Sequence, residues 1–385
     1  MNQETVTVER DGKLITENRA VPYISAMLPS DYPQNHAANL LVLPNGDLLC
    51  TWFAGTQEGV ADISILCSRL RKGAQTWDAA IKLSDDPERS EQNPVLFLDP
   101  DNTLWLMWTA QVSGNQDTAI VRCRKSFDFG ETWHEIEVLI DKPGTFIRQP
   151  VVVLPNGNWL LPIFNCTVKP GEKWVGNYDT SSVKISEDKG KTWRDVDVPN
   201  SLGCVHMCVS PLKSGALIAV YRSRWADNIY KSYSYDNGET WSEPTATPLP
   251  NNNSSIQLTT LNNGGLAMVF NNMSAEGATD RRSSLYDEID DGSDAKEPEI
   301  VDGKSAFWGA PRAPMTLAIS KDDGESWSIV ANLDEGDGFC MTNNSQEKLN
   351  REFSYPSITQ SEDGVIHVAY TYFRQAIKYV RINNL

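Results

Sequence analysis

The sequence predicts an all-β protein, a six-bladed β-propeller, and three observations carry that reading. An eight-residue motif, SYDNGETW at 234–241, recurs as SFDFGETW (126–133), SEDKGKTW (186–193) and SKDDGESW (320–327), with a worn copy, SRLRKGAQTW, ending at Trp77. Six hairpin signatures alternate with these motifs. Together they make a unit of about 50 residues and four strands, which is the size of a propeller blade.

The hairpins open each unit. ANLLVLPNGDLLCTWF, NPVLFLDPDNTLWLMW, QPVVVLPNGNWLLPIF, VHMCVSPLKSGALIAVY, SIQLTTLNNGGLAMVF and YPSITQSEDGVIHVAY each set an apolar run, a tight turn and a second apolar run in succession. Their Asn-Gly, Ser-Gly and Asp-Gly pairs supply the positive φ that short hairpin turns demand. Further strands, such as DISILCS and TAIVRCRKS, lead into the eight-residue motif. In that motif the Asp can accept backbone N–H bonds, the Gly can turn left-handed, and the Trp can pack between neighbouring sheets. It reads as a turn clamp without chemistry. The last strand run, AIKYVRI, closes the ring with the N-terminal segment. Seven blades are the alternative if residues 1–27 or the long insertion form another sheet. Residues 1–385 thus make one propeller domain with an acidic loop insertion at about 274–308, which contains YDEIDDGSDAKEPE. That insertion is either a solvated surface loop or a lid or cation-holding loop over one face.

Composition fits a large buried core: 40% of residues are hydrophobic, with 12 Trp, 12 Tyr and 11 Phe. The net charge of −17 repels phosphate backbones and anionic lipid, so neither nucleic acid nor membrane is an expected partner. There is no apolar stretch of signal or membrane-spanning length, which predicts a cytoplasmic protein, or a secreted one whose leader has been removed. The seven Cys sit largely in apolar runs such as LLCTW and ILCSR and read as buried free thiols. No cofactor is required. The axis or the acidic insertion leaves room for a structural calcium, although no ligand spacing specifies one, and no metal ligands are assigned.

Blades meet at a central axis, so the starts of the innermost strands converge on one end of the channel. Counting nine residues back from the second turn residue of each hairpin gives Ala37 with His36 beside it, Asn93, Arg148, His206, Ser255 and Tyr355. Strand entrances that merely packed would carry Val, Ile or Pro; convergent polar and titratable groups point to a site. Arg222 and Arg224 in YRSRW follow the second strand of blade four, and Arg374 in YFRQAIKY holds the same place in blade six. Each offers a donor fork suited to a carboxylate.

The repeats, with NHAANLLVLPNGDLLCTWFAG opening the ring and SYPSITQSEDGVIHVAYTY closing it, resemble the Asp-box (BNR repeat) propellers of the sialidase superfamily over nearly the whole chain. With APRAPMTLAIS, these segments are more similar to the group usually labelled predicted neuraminidases, to which fungal L-rhamnose-α-1,4-D-glucuronate lyase is related. The resemblance implies a sialidase-type propeller acting on carbohydrate. In sialidases an Arg-Ile-Pro in blade one binds the sialic carboxylate; here His36 stands in its place. The sialidase nucleophile, in a Tyr-Ser-x-Leu context, is matched by Tyr355 in YPSI. The sialidase acid lies in the loop after blade one's hairpin, where GTQEGVAD offers Glu58 and Asp62. Loss of the first arginine points away from sialic acid but not from an anionic sugar.

Two mechanisms compete for the ring. A uronate lyase needs a partner for the carboxylate, a base for the C5 proton and an acid for the leaving oxygen. His36, His206 and Tyr355 suit the proton transfers, and Arg148, Arg224 or Arg374 the carboxylate, with Asn93, Arg222, Ser255, Glu58 and Asp62 completing substrate binding. An ordinary glycosidase needs two carboxylates, which the register lacks at its level, although Glu58 or Glu352 can reach in and a tyrosine nucleophile spares one. The lyase is preferred, a sialidase-like exo-glycosidase follows, and a non-catalytic sugar-binding propeller with Trp225 or Trp52 as aromatic platforms is the third reading. In every case the expected partner is an oligosaccharide or polysaccharide.

Overall fold

The computed structural model describes residues 7–290, 295–296, 298, 300 and 303–383. Six antiparallel sheets follow one another around an axis. Their innermost strands are Gln34–Val42, Ser90–Leu98, Thr145–Ile147 continued by Val152–Val153, Cys204–Pro211, Gln257–Thr260 and Phe353–Gln360. The sixth sheet closes the ring: Tyr23–Met27 pairs with Ala376–Ile382, from Ile24 opposite Arg381 to Met27 opposite Lys378, and Ile15–Glu17 adds an outer strand. The N-terminal segment therefore extends blade six, and no seventh sheet forms among the described residues. No helix among them is long and apolar enough to cross a membrane.

The core lies between successive sheets. Leu40, Cys50, Trp52 and Leu66 of blade one pack on Tyr379 and Ile377 of blade six, and Trp77 of the worn motif meets the Tyr379 ring edge-on at 5.1 Å. Trp52 is therefore core, tied to Asn35 by its indole N–H at 2.8 Å, and is no platform for sugar. All seven Cys are buried free thiols.

The eight-residue motif works as a clamp. Asp236 Oδ1 accepts the Thr240 backbone N–H at 2.9 Å and the Ser234 hydroxyl at 2.9 Å, while its Oδ2 accepts the Thr240 hydroxyl at 2.5 Å. Gly238 has φ 82°, and a Cβ there would lie 2.5 Å from Leu160 of the preceding blade, so the turn requires glycine. The pattern repeats at Asp128, Asp188 and Asp322. In the worn copy an aspartate from the first hairpin substitutes: Asp47 accepts Lys72 N–H at 2.8 Å and Arg69 at 2.9 Å.

Each sheet runs up and down, so its hairpin turn and its clamp fall on one rim. The starts of the innermost strands and the loops joining second to third strands fall on the other. The clamps are thereby remote from the ring of polar residues. The counted register coincides with a backbone feature: Ala37, Asn93, His206 and Tyr355 all have positive φ, between 49° and 64°, where the inner strands of blades one, two, four and six shift register. Each is a β-bulge that re-aims a side chain toward the axis. Left-handed backbone is uncommon outside glycine, and here it recurs at one level of four blades.

Candidate functional site

Tyr355 is the hub of the polar rim. Its hydroxyl accepts a hydrogen bond from Arg222 Nη1 at 2.6 Å. The His36 ring lies 4.2 Å from its ring on one side, and the His206 ring meets it edge-on at 5.5 Å on the other. The guanidinium carbons of Arg148, Arg222 and Arg312 stand 5.5, 5.5 and 5.6 Å from the ring centre. Four inner strands, the second strand of blade four (Leu217–Ser223, which carries Arg222) and the loop before Met315 thus deliver titratable groups to one point, termed the cup.

Both histidines favour the neutral form. Burial, reinforced by the surrounding arginines, holds them well below the ordinary histidine range. Arg222 Nη1 also faces His206 Nε2 at 3.3 Å. A guanidinium only donates, so that nitrogen carries the lone pair and the proton sits on Nδ1, which meets no protein partner. His36 is fixed by Thr371 Oγ1 on Nδ1 at 2.8 Å, leaving Nε2 without a partner. Arg222 Nε donates to Asn253 Oδ1 at 2.7 Å, and its Nη2 is unpartnered. Burial draws the guanidinium of Arg148 down to about 10 and that of Arg222 down to about 9, and both remain cationic near neutral pH.

The remaining expected residues divide. Arg148 reaches the axis, but its Nη2 is spent on the carbonyls of Ala38, Tyr355 and Pro356 at 3.0 to 3.1 Å and its Nε on Ser255 Oγ at 3.3 Å. It ties blades one, three, five and six together, and only Nη1 is uncommitted; a free fork for a carboxylate it is not. Ser255 is correspondingly a support for Arg148. Asn93 is buried at the same level with its Oδ1 unpartnered. Arg224 is bound to Asp179 by Nε and Nη2 at 3.0 and 2.7 Å. Arg374 lies between Glu352 and Glu58 and binds both. Asp62 is exposed and accepts Thr56 N–H within its own loop, so it does not join the site.

Three contributors escape the sequence register. Arg312, ahead of the third strand of blade five, pairs with Glu352 Oε2 at 2.8 Å. Burial alone would raise the Glu352 carboxyl, but Arg374 and Arg312 overcome it and hold the group down at about 2. Asp179 anchors Arg224. Trp308, from the insertion, covers Arg224 and Arg222 at 5.1 and 5.5 Å. APRAP is visible as a motif, yet nothing in its spacing says which carboxylate its arginine meets.

The described part of the insertion lies as a lid over blades three and four. Leu285, Tyr286, Ala306 and Trp308 are buried against Phe146, Phe164, Trp174 and Val205 of blades three and four. Phe307 N donates to Arg224 O at 2.8 Å and Ala275 N to Ala226 O at 2.8 Å. Asp287 and Glu288 are engaged by Arg282. The rest of the acidic tract, for which a solvated loop and a cation-holding loop were the alternatives, lies largely outside the described residues. Among the described residues no three His, Cys, Asp or Glu side chains are grouped to hold a metal.

The architecture has solved counterparts. The Hadza microbial sialidase Hz136 superposes with a TM-score of 0.66 at 15% identity, over 90% of this chain and 65% of its own, so the present chain spans about two thirds of that sialidase. A Dyadobacter fermentans protein of unknown function gives 0.64 at 14% identity, over 97% and 98% of the two chains. The intramolecular trans-sialidase of Ruminococcus gnavus gives 0.62 at 12%, over 91% and 94%. At such identities the likeness establishes the sialidase-like propeller fold. Among curated proteins none matches the chain. Residues 46–368, most of its length, match the BNR repeat-like domain, and the chain belongs to that family.

Proposed function

We propose that the protein cleaves an anionic glycan at the Tyr355 cup by β-elimination beside a uronate carboxylate. One observation carries the reading: a phenol that accepts from a buried arginine stands between two neutral histidines that each keep a ring nitrogen uncommitted. Because Arg222 occupies a lone pair of Tyr355 Oη, the phenolic proton is free to point at a substrate. In the proposed step His36 Nε2 takes the C5 proton, the electron pair forms the C4–C5 double bond, and the C4–O bond breaks. Tyr355 protonates the departing oxygen, and Arg222 stabilises the charge then left on the phenol. Arg222 Nη2 is the carboxylate's donor, and Asn93 and His206 Nδ1–H are available to ring hydroxyls.

A hydrolase of the two-carboxylate kind fits less well. Glu58 and Glu352 are both committed to Arg374, and Asp62 is outside. The second reading is glycosyl transfer with Tyr355 as nucleophile, favoured by the overall likeness to sialidases and a trans-sialidase. A screen of uronate-containing and sialylated oligosaccharides separates them. Elimination yields an unsaturated uronate absorbing in the near ultraviolet; transfer or hydrolysis releases sugar without that absorbance. Sugar release alone, abolished by Tyr355→Phe, would overturn the lyase in favour of the second reading, and saturable binding without turnover would leave a lectin.

A further inference from the structure

The lid's Tyr286 fills a chamber beside the cup, and the chamber is built for a different occupant. Its walls are Gly59 and Gly114, where a Cβ would come within 3.0 and 2.7 Å of the Tyr286 side chain, so both positions leave room for a ring. Its floor is three buried glutamines of blade two. Gln116 Nε2 donates to Tyr286 Oη at 3.1 Å, while Gln92 Oε1 and Gln111 Oε1 face the same oxygen at 3.3 and 3.5 Å. Their orientations are fixed from behind: Gln92 Nε2 binds Ser90 Oγ at 3.0 Å, Gln111 Nε2 binds Ser113 O at 2.7 Å, and the Cys166 thiol faces Gln116 Oε1 at 3.6 Å.

Two carbonyl acceptors and one donor therefore converge on a group that has one proton. A phenol satisfies one acceptor at a time, and both contacts are long. A pair of neighbouring sugar hydroxyls has two protons to give and lone pairs for the amide. Gln92 adjoins Asn93 of the bulge level, and Glu58, whose charge acts on Tyr286, is bound to Arg374. The chamber is thus the cup's neighbour. A cleft of about 250 Å³, lined by Gly114, Lys173, Trp174, Ser283 and Asp287, opens alongside Tyr286.

We propose that this chamber is a sugar subsite for a neutral residue with a vicinal diol, occupied by the lid's own phenol until the segment around Tyr286 withdraws. The proposal extends the glycan-cleaving reading, to which it adds the unit next to the anionic sugar.

The test uses neutral probes, which carry no carboxylate and so do not depend on the Tyr355 chemistry. Binding of methyl rhamnoside and methyl galactoside to the full chain is followed by tryptophan fluorescence, since Trp174 stands 6.0 Å from Tyr286. An occluded site weakens apparent affinity by the fraction of open protein, so Tyr286→Ala should bind at least one glycoside about tenfold more tightly than wild type. Adding Gln111→Leu should return affinity to the wild-type level, and cyclohexanol, a ring without a diol, should show no gain. Absence of saturable glycoside binding by Tyr286→Ala, equal gain for cyclohexanol, or indifference to Gln111→Leu would each overturn the subsite. Should Tyr286→Ala fail to fold, Tyr286→Phe keeps the ring but releases the three amides. It should bind the same glycoside about threefold more tightly, and unchanged affinity overturns the proposal. Failure of the elimination assay, with glycoside binding intact, would sink the proposed reaction and leave the subsite standing.

Discussion

Tyr355 Oη and Arg222 Nη1 are 2.6 Å apart, although 133 residues separate them in the chain, and that hydrogen bond joins the last blade to the fourth. The ring of Tyr355 is packed by His36, His206 and three guanidinium groups, but among the described residues its hydroxyl makes only this bond. Tyr355→Phe should therefore leave the melting temperature nearly unchanged while lowering kcat on the substrate found in the glycan screen by about 100-fold or more. Arg222→Lys, which cannot serve Tyr355 and Asn253 from one planar group, should raise KM as well. Steady-state kinetics with melting curves checks both, and a Tyr355→Phe enzyme with full kcat would remove Tyr355 from the chemistry.

Glu352 is the midpoint of a buried charge chain running Glu58, Arg374, Glu352, Arg312. Removing its charge strands the buried Arg312 guanidinium and leaves Arg374 with Glu58 alone. Glu352→Gln should cost about 3–5 kcal/mol of stability. Because the members act on one another, Glu352→Gln combined with Arg312→Met should cost less than the sum of the two single changes. Chemical denaturation of the four proteins measures this, and strict additivity would mean that the pair is not coupled.

Much of this was legible beforehand because it is local and periodic. Hairpin turns and clamps fix blade count through residues a few positions apart, and the same count locates Asn93, His206 and Tyr355, with His36 beside Ala37. What escaped depends on contacts between distant loops. Glu58 and Asp62 lie in one loop and look equivalent as letters, yet one turns inward to Arg374 and the other caps the loop in solvent. Arg148 was placed correctly at the axis, but three backbone carbonyls claim it, and backbone acceptors have no signature in a sequence. Trp308 and Tyr286 belong to an aperiodic insertion, so no register could bring them over the cup.

Buried neutral histidines make the fold acid-sensitive. His367, on the rim opposite the cup, is pushed down to about 4 by burial and by Arg381, which outweigh Asp363; its ring nitrogens face Tyr379 Oη at 2.7 Å and Ser361 Oγ at 3.1 Å. In the unfolded chain a histidine protonates near 6.5, so between there and about 4 the unfolded state holds the extra proton. Stability from this group is complete above that window and is lost as pH falls through it, by about 1.4 kcal/mol per pH unit. Asp179 and Glu91, whose carboxyls burial pushes up, act in the opposite sense. The decisive quantity is therefore the difference between wild type and His367→Gln: the variant should lose less stability than wild type between pH 6 and pH 4.5, as followed by melting temperature. Parallel curves would show that His367 is already protonated in the folded protein.

The clamps provide the converse test, because they sit on the rim away from Tyr355. Asp236 gathers a backbone N–H and two hydroxyls in an exposed turn, so water can replace much of what the carboxylate supplies. Asp236→Ala should lower stability by about 1–2 kcal/mol, the worth of one or two such bonds, and Asp188→Ala should do the same. The two clamps belong to different blades and share no partner, so the double variant should lose the sum. None of the three proteins should change in kcat or KM once fully folded, since no atom of either turn reaches the cup. A clamp variant with reduced kcat at unchanged melting temperature would mean that the repeated motif takes part in the reaction, and the assignment of chemistry to the opposite rim would fail.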